Sequence, residues 1–438
     1  MEYKKLAIVH QLSLLSLNLN EKQLLSGLVF TSALSTFNVF ATNGYFTHGY
    51  GMTHKGMAGA GVALSEELMS GANNPATFSA NGTQMSVGIE LFAPERNYTA
   101  AKVDEYFPNA LYLDATTKKS DNSLFAIPEF AIGHQLNERI NIGLLVYGNG
   151  GMNTEYVADS APQGTFYGGT TGVDLKQLFV SPTMSYQLNE QIRLGVSAIY
   201  VVQQFEAQGL ANFAAFSQAP EALSNNGVDT STGIGMQLGI SHIINSSFSW
   251  GASYRSSVSM DEFDRYSGLF AEQGGFDLPS SIQLGTAWQF LPSHQVVFDW
   301  QKINYSEVKS IANPITNLMS APLGAEAGAG FGWHDMSIYK LGYQWQRTEQ
   351  QKIRFGASYT EQPIPSSDIL FNILAPGVQE WHFTAGISHA LSDAVQFNAM
   401  AFYSPSKNVT GANYLAPNQQ LSISMEQSGL GVSLAWRI

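Results

Sequence analysis

Because the 438 residues of this chain include no cysteine, serine is the side chain to consider first as a nucleophile. Histidine is the side chain to consider first as its general base. A Gly-x-Ser triplet occurs six times, from Gly195-Val196-Ser197 to Gly431-Val432-Ser433. None is completed to the Gly-x-Ser-x-Gly turn that presents the serine nucleophile of a hydrolase. Six copies of one triplet indicate instead small side chains that recur on one face of several strands.

The glycine-rich run Gly56–Gly61 and the nine histidines indicate no other reaction centre. The run has the glycines of a dinucleotide-binding turn, but no strand precedes it, so the βαβ unit that gives those glycines their function is missing. The histidines form no His-Glu-x-x-His pattern and no other cluster with metal-ligand spacing. We therefore expect neither enzymatic activity nor a bound metal or cofactor.

The composition favours a membrane protein built from strands. Charged residues make up 13% of the chain, about half of the roughly 25% typical of soluble domains. Glycine (41), phenylalanine (26) and tyrosine (19) are abundant, as in strands that face lipid on one side and a wet interior on the other. The net charge of −13 argues against a nucleic-acid partner, which needs a basic surface.

The first 41 residues have the organisation of a signal peptide. Lys4, Lys5 and Lys22 precede an apolar stretch over residues 24–37, and cleavage is predicted after Ala41. That stretch is too short for a membrane-spanning helix, and no later stretch reaches about 18 consecutive apolar residues. Because an exported chain without helical spans can cross a membrane only as a closed barrel, we expect it in the cell outer membrane of a Gram-negative bacterium.

From residue 84 onward, apolar residues alternate with small or polar ones, which is the period of strands. Fourteen segments are predicted, at residues 84–100, 122–136, 139–148, 175–188, 191–207, 230–245, 247–260, 278–291, 294–308, 334–348, 351–362, 377–391, 394–404 and 421–438. Short turns alternate with long loops, the last of which is predicted at residues 405–420. The predicted fold is all-β, a fourteen-stranded antiparallel transmembrane β-barrel over residues 84–438.

Residues 42–83 lack this alternation and are rich in glycine, alanine and asparagine. A short helix is predicted over Met57–Met69. On the predicted lumen face, a glycine recurs at one height of the strands, namely Gly88, Gly133, Gly143, Gly195, Gly239, Gly251, Gly285, Gly342, Gly356, Gly386 and Gly431. Glycine in a strand often marks the approach of another backbone, although relief of curvature is an alternative. We predict that residues 42–83 form an N-terminal hatch (plug) inside the lumen.

Several loops carry apolar side chains that exposed loops normally avoid. They lie after the fifth and seventh predicted strands and in residues 309–333, and the fifth strand adds apolar residues on its lumen face. The predicted substrate-binding side chains are Phe213, Phe216, Leu269, Phe270, Ile199, Val201 and Phe205. Packing of the loops against one another is the alternative explanation.

The order of these motifs resembles the FadL family of outer-membrane transporters for long-chain fatty acids and other hydrophobic compounds, over essentially the whole mature chain. Five motifs carry the resemblance: Gly56–Gly61, Asn74-Pro75-Ala76, Tyr147-Gly148, Thr154-Glu155-Tyr156 and Pro363-Ile364-Pro365. The resemblance implies a fourteen-stranded barrel closed by a hatch. The expected partners are a hydrophobic small molecule, outer-membrane lipid and lipopolysaccharide, and the barrel assembly machinery, and we expect a monomer.

The resemblance also implies a route. The substrate would be captured between two extracellular loops, enter an apolar pocket in the lumen, and leave sideways into the membrane where the third strand bends. Gly148, Gly150 and Gly151 are the candidates for that bend, because glycine tolerates unusual backbone geometry. Movement of the hatch, which carries Asn74, Pro75 and Ala76, would open the pocket without an energy source.

A fatty-acid carboxylate would call for a cation in the pocket, and the upper fifth strand offers none. Lys309 is the nearest candidate, and Arg255 is predicted to point into the lumen. The missing cation favours an alternative, a channel for uncharged aromatic or alkyl hydrocarbons. An outer-membrane hydrolase is the alternative from another class, but no Ser-His-Asn or Asp-His arrangement can be assembled at one height of the barrel.

Overall fold

The computed structural model describes residues 43–158 and 163–438. The predicted signal peptide, residues 1–41, lies outside this part of the chain. The strands are β1 (Thr83–Ala100), β2 (Thr116–Lys119), β3 (Phe125–Gln135), β4 (Ile140–Tyr156), β5 (Thr171–Gln187), β6 (Ile192–Gln208), β7 (Asp229–Asn245), β8 (Phe248–Arg255), β9 (Ser259–Met260), β10 (Ser281–Leu291), β11 (His294–Ile303), β12 (Met336–Thr348), β13 (Gln351–Thr360), β14 (Trp381–Ala390), β15 (Val395–Asn413) and β16 (Ala416–Arg437).

The helices are short. The α-helices are α1 (Met52–Lys55), α2 (Ser70–Asn73), α3 (Ala271–Gly274), α4 (Lys309–Ala312) and α5 (Ile369–Asn372). The 3-10 helices lie at Pro75–Thr77, Ala211–Phe216, Pro220–Ala222, Asp264–Tyr266, Tyr305–Glu307, Ile315–Met319 and Ser366–Asp368. Among the described residues, no helix has the length and apolar character needed to cross a membrane.

The strands form a closed barrel. Each wall strand pairs antiparallel with its neighbours, and β1 closes the circle by pairing with β16, with Val87 opposite Leu434. β2 and β9 are short additions to the edges of β1 and β7, so fourteen strands make up the wall. The predicted fourteen-stranded antiparallel barrel is confirmed.

The long loop predicted at residues 405–420 is wrong. β15 and β16 continue as a paired hairpin through this region, with Thr410 opposite Ser422 and Asn413 opposite Ala416. The outward positions here are polar, for example Ser406 and Thr410. Because an outward face beyond the lipid does not need apolar residues, the alternation that identifies a strand is lost although the strand continues.

Residues 43–82, called the N-terminal segment below, lie inside the barrel. Lys55 forms an ion pair with Glu90 of β1, and the backbone N–H of Gly61 donates to Asp299 of β11 at 2.8 Å. Since β1 and β11 stand on opposite sides of the wall, the segment crosses the lumen. Its predicted limits, residues 42–83, and its movement as a hatch stay predictions.

The helix predicted over Met57–Met69 is wrong. Within the N-terminal segment, α1 ends before that range and α2 begins after it. Ala58, Gly59 and Gly61 have φ values of 55°, 76° and 132°, which a right-handed helix excludes. The chain therefore passes through turns that suit its tight fit against the wall.

Nine of the eleven predicted lumen glycines make room for the N-terminal segment. An added Cβ would come within 3.0 Å of that segment at Gly133, Gly143, Gly195, Gly239, Gly251, Gly342, Gly356, Gly386 and Gly431. At Gly195 the nearest atoms are backbone atoms of Pro75 and Ala76, both at 2.1 Å. Close contact with the N-terminal segment, and not curvature alone, thus accounts for the glycine at these nine positions, through backbone atoms at five of them and side chains at the other four.

Candidate functional site

An apolar cleft of about 520 Å³, including the part open to solvent, lies among the long loops at one end of the barrel. Four of the eight predicted substrate-binding residues, which are the seven apolar ones and Lys309, line it together: Phe205, Phe213, Leu269 and Phe270. They come from β6 and from the two loops that the sequence singled out. The structure thus brings these side chains together around one space.

Short helical segments position the aromatic rings of the cleft. Phe213 lies in the 3-10 helix Ala211–Phe216 and meets Phe166 edge to face, with ring centroids 5.1 Å apart. Phe270, directly before α3, meets Phe205 at 4.6 Å. Aromatic pairs at these separations stabilise one another beyond the burial of their area, so the walls of the cleft are preformed.

The cleft also uses residues that the sequence analysis did not single out. These are Val173, Ser310, Ala329, Gly330, Phe371 and Leu374. The apolar run over residues 369–374 carried a usable signal, because it interrupts an otherwise polar loop. Val173 carried none, since nothing in β5 distinguishes it from any other inward-facing strand residue.

Three predicted binding residues lie elsewhere. Ile199 and Val201 are fully buried in a cluster that contains Met69 and Phe78 of the N-terminal segment. Phe216 is half-buried against the edge of the large apolar cluster around the cleft. β6 therefore contributes Phe205 to the cleft, and it contributes Ile199 and Val201 to packing against the N-terminal segment. A binding role for Ile199, Val201 and Phe216 stays a prediction.

Lys309 lies outside the lining of the cleft, although the next residue, Ser310, belongs to it. Its Nζ pairs with Glu272 at 2.8 Å and Glu326 at 2.7 Å. The hydrogen bonds from these two carboxylates raise the pKa of Lys309 to about 12. Two carboxylates already neutralise this cation, which leaves little attraction for a third. The predicted role of Lys309 as a carboxylate anchor is untested.

β4 contains a β-bulge at the predicted bend. Gly148 lies opposite Leu178 of β5 and Gly150 lies opposite the adjacent residue, Gln177, so that Asn149 is the extra residue of the bulge. A bulge bends its strand and interrupts regular pairing. The three glycines predicted at the bend therefore surround a real irregularity of the wall, and their part in gating stays a prediction.

The bulge marks the place where β4 separates from β3. In the described chain, β3 pairs with β4 only up to Tyr147, whereas β4 continues for nine more residues. Contacts of Ser120 and Asp121 with Glu155 close the wall again farther along. Residues 148–154 of β4 pair with β5 but not with β3, and we call this stretch the window.

Residues 45–47 of the N-terminal segment, called the cap below, cover the window from inside. Phe46 bridges to Gly150, and the N–H of Gly151 donates to the carbonyl of Tyr45 at 3.0 Å. A Cβ at position 150 would lie 1.8 Å from that carbonyl oxygen. Glycine at this position is thus required by the closeness of the cap.

The side chain of Asn149 ties the cap and the wall together. Its Oδ1 accepts hydrogen bonds from Tyr50 at 2.6 Å and from Arg255 at 2.9 Å, and its Nδ2 donates to Gln177 at 3.0 Å. Arg255 also lies over the ring of Phe46, 4.6 Å from its centroid. Arg255, which the sequence predicted to point into the lumen, is therefore occupied in holding the cap.

The Asn74-Pro75-Ala76 motif anchors the N-terminal segment at β7. The Nδ2 of Asn74 donates to the carbonyl of Val62 at 2.7 Å and to that of Ile240 at 3.0 Å, and its Oδ1 accepts from the N–H of Ala76 at 3.0 Å. The last bond caps the 3-10 helix that begins at Pro75. These bonds explain the motif structurally, and its part in gating stays a prediction.

Residues 32–438 match the model of a protein family described as outer membrane protein transport protein (OMPP1/FadL/TodX). The chain belongs to this family. Among curated proteins, the long-chain fatty acid transport protein of Escherichia coli O6:H1 is 21% identical over 407 residues, which cover 83% of this chain and 86% of that protein.

Solved structures of the same architecture are similar in fold. The toluene transporter TodX of P. putida superimposes with a TM-score of 0.66 at 16% identity, covering 89% of this chain and 99% of that one. A Pseudomonas aeruginosa FadL homologue gives 0.67 at 13%, covering 90% and 99%. At such identities the likeness establishes the fold alone. The predicted family and the outer-membrane location are confirmed, and the relatives are transport proteins, not enzymes.

Proposed function

We propose that the protein is a passive channel that takes up hydrophobic small molecules across the outer membrane. The substrate is captured in the apolar cleft, moves down the lumen to the window, and leaves sideways into the lipid. Sideways release suits such a molecule because its apolar surface goes from protein directly to hydrocarbon and is never returned to water. No energy source is needed, since partitioning into the membrane is favourable.

The window is the observation that carries this proposal. A barrel that conducts water-soluble molecules has no use for a wall strand that lacks a partner strand on one edge, because unpaired backbone groups that face lipid are costly. The cap satisfies part of this edge through two backbone hydrogen bonds, from Thr47 N–H to Asn149 at 2.9 Å and from Gly151 N–H to Tyr45 at 3.0 Å. Withdrawal of three residues would therefore open a side exit.

The part of the lumen nearer the short turns, called the lower lumen below, supports release to the side over release through that end of the barrel. Below the cap, the N-terminal segment contacts the wall at the nine glycines and through buried polar pairs such as Lys55 with Glu90. A molecule that moved straight down would have to break most of these contacts. Movement of the cap alone would break its two backbone hydrogen bonds to the window and the aromatic contacts of Tyr45 and Phe46, while the contacts at the nine glycines could remain.

Two substrate classes fit the cleft. Its aromatic walls would accept the chain of a long-chain fatty acid, our first choice, or an uncharged aromatic or alkyl hydrocarbon, our second. The named relatives include a fatty acid transport protein and a toluene transporter. Uptake of labelled oleate and labelled naphthalene, in cells that lack their own channels for hydrophobic compounds, distinguishes the two classes.

A hydrolase is not favoured. Ser358 lies 3.3 Å from His382, but both side chains are buried among barrel strands beside the N-terminal segment. Among the described residues, the second ring nitrogen of His382 has no carboxylate partner to orient and stabilise a charged imidazole. A serine–histidine pair without that third group and without access for water lacks the basis of triad catalysis.

Deletion of Asn149 tests the route. The deletion removes the extra residue of the bulge, so that β4 can continue in regular register with β5 and the bend is lost. We expect uptake of both labelled compounds to fall at least tenfold, while binding of naphthalene to the purified protein, measured by its fluorescence, is retained. Deletion of Ser406 is the matched control, because residues 405–406 form a bulge in the hairpin of β15 and β16, two strands that do not pair with β4.

Uptake that survives the Asn149 deletion in a folded barrel would contradict lateral release through the window. Loss of binding together with uptake would instead mean that the deletion disturbs the cleft. Wild-type protein that takes up neither compound would contradict the channel itself.

A further inference from the structure

Arg96 of β1 is a buried cation with two nitrogens unpaired. The residue is 2% exposed, and its Nη1 donates to the backbone carbonyl of Asn153 in the window of β4. Within the described part of the chain, no hydrogen-bond acceptor lies within reach of its Nε or Nη2. A guanidinium stays protonated in proteins, and an unpaired buried charge is strongly unfavourable. An anion placed here would therefore be stabilised.

Arg96 lines a narrow cleft next to the window, called the cavity below, whose empty space is about 330 Å³ when the part open to solvent is included. The side chains around it are mostly apolar and include Phe92, Trp333, Pro376 and Met425. Gly44, which precedes the cap, and Gly151 of the window complete the border. The cavity thus combines one cation, apolar walls and direct contact with the proposed exit.

Other charges near Arg96 do not pair with it. Asp174 of β5 is the carboxylate near enough to act on Arg96 electrostatically, but it forms its ion pair with Lys176 at 2.7 Å. The ring of Phe125 lies 5.4 Å from the guanidinium carbon. An aromatic ring partly compensates the charge and leaves the Nε–Nη2 edge available.

We propose that Arg96 binds the carboxylate of an amphipathic substrate whose hydrocarbon chain occupies the apolar cavity beside the window. Nε and Nη2 present parallel N–H groups on one edge of the planar guanidinium, and this arrangement holds both oxygens of a carboxylate. The inference rests on the proposed function, because the ligand is the passenger of the channel. It makes Arg96, and not Lys309, the residue that selects a fatty acid over a hydrocarbon at the exit.

Binding of dibromostearate and of its uncharged methyl ester tests the proposal. Bromine quenches tryptophan fluorescence at short range, and Trp333 lines the cavity, so replacement of Trp333 by Phe identifies its share of the signal from the seven tryptophans. For Arg96→Gln we expect the Kd of dibromostearate to rise about tenfold or more, as for loss of a charge-assisted hydrogen bond. The Kd of the methyl ester should stay within about twofold, because it offers no charge.

Three variants serve as controls. Lys309→Gln should leave both affinities unchanged, since that lysine does not line the cavity. Arg96→Lys keeps the charge without the two-pronged edge and should recover part of the affinity. Asp174→Asn removes the nearby negative charge and should leave dibromostearate binding unchanged or stronger. If Arg96 served only to hold Asp174, Asp174→Asn and Arg96→Gln would lower the yield of folded barrel to the same extent and neither would affect the acid selectively.

Equal effects of Arg96→Gln on the acid and the ester, or no effect on either, would overturn the proposal. Should the Arg96 variants fail to fold, a competition experiment on the wild-type protein tests the proposal. Stearate should displace dibromostearate from the site at Trp333 at least tenfold better than uncharged octadecanol does. Equal displacement by the two compounds would overturn the proposal. Uptake separates this inference from the channel. Loss of oleate uptake with naphthalene uptake intact in Arg96→Gln supports both, whereas wild-type protein that transports neither compound refutes the channel without affecting the binding result.

Discussion

Two buried arginines in different parts of the lumen have opposite surroundings. Arg354 of β13, near the short turns, is 1% exposed, and each of its guanidinium nitrogens has a partner: Gln344 at 2.6 Å, Ser388, and Glu66 at 3.0 Å. Arg96, near the window, has a partner for one nitrogen only among residues 43–158 and 163–438. A fully paired guanidinium belongs to permanent packing. One with a free edge in an apolar cavity can hold a ligand.

The same contrast separates the lower lumen from the upper. The lower lumen is filled by the N-terminal segment, which contacts the wall through backbone, glycines and ion pairs. The upper lumen and its loops enclose the cleft and the cavity at Arg96, both lined largely by apolar side chains. The wall has the same strands in both regions, so what differs is whether the interior is occupied by the chain itself or left for a passenger.

Gly195→Leu should have the largest effect on the lower region. The new side chain would collide with the backbone of Pro75 and Ala76, which cannot move aside as a side chain can. Overpacking usually costs about 1–3 kcal/mol and occasionally more, and because the colliding backbone cannot yield, we expect a loss large enough to be seen as unfolded barrel or as a displaced N-terminal segment. Heat-modifiable gel mobility reports the barrel and limited proteolysis reports the segment. Ala198→Leu, on the outward face of the same strand, should be tolerated, and equal tolerance of both would contradict the tight fit.

Glu66→Gln should have the next largest effect, because it leaves Arg354 without its counter-charge. Breaking a buried pair on one side typically costs about 3–5 kcal/mol. Chemical denaturation of the purified protein measures the loss, and Glu349→Gln, in the exposed turn nearby, is the control. A loss no larger than that of the control would show that the lower region does not depend on this pair.

The same pair has a defined pH dependence. Burial by itself raises the pKa of Glu66, but Lys352 and Arg354 outweigh it and lower the pKa to about 2. Because this value lies below the ordinary 4.5, the stabilisation is complete above pH 4.5 and is lost as the pH falls toward 2. Glu66→Gln should remove this part of the acid sensitivity.

Phe270→Ala should have the smallest effect on folding and a selective one on the upper region. The ring lines the cleft and packs against Phe205 and Phe276 at 4.6 and 4.8 Å. Removing it should weaken naphthalene binding roughly tenfold, in line with the loss of part of a buried phenyl contact, while the barrel still folds. Phe290→Ala, on the lipid-facing side of β10, should leave binding unchanged. An equal loss of binding in both variants would mean that the cleft is not the capture site.

Much of the fold could be predicted from the sequence because strand alternation is local. Leu430, Val432 and Leu434 alternate with small residues wherever the chain ends up, and a wall that faces lipid on one side requires this pattern. The glycine positions were equally accessible, since a missing side chain at one height needs only the strand register. The extended hairpin of β15 and β16 was missed because its outward residues face water and carry no apolar signal.

The candidate site was only partly predictable. Phe213 and Phe270 were found because apolar residues in loops are conspicuous, and the bend because glycines cluster there. Lys309 illustrates the limit: its charge is visible in the sequence, but its pairing with Glu272 and Glu326 depends on loops that meet only in the folded chain. Arg96 illustrates the converse, since a basic residue in a strand gives no sign of whether a carboxylate will stand beside it.

The sequence by itself determined the barrel, the number of its wall strands, and the presence of a segment that fills it. These follow from periodicity and composition, which each stretch of chain carries alone. Only the tertiary structure decided that Asn149 bulges from the wall, that Tyr45–Thr47 covers the resulting window, and that Arg96 lies beside it with a free edge. Each of these depends on distances between residues far apart in the chain, and no local pattern encodes them.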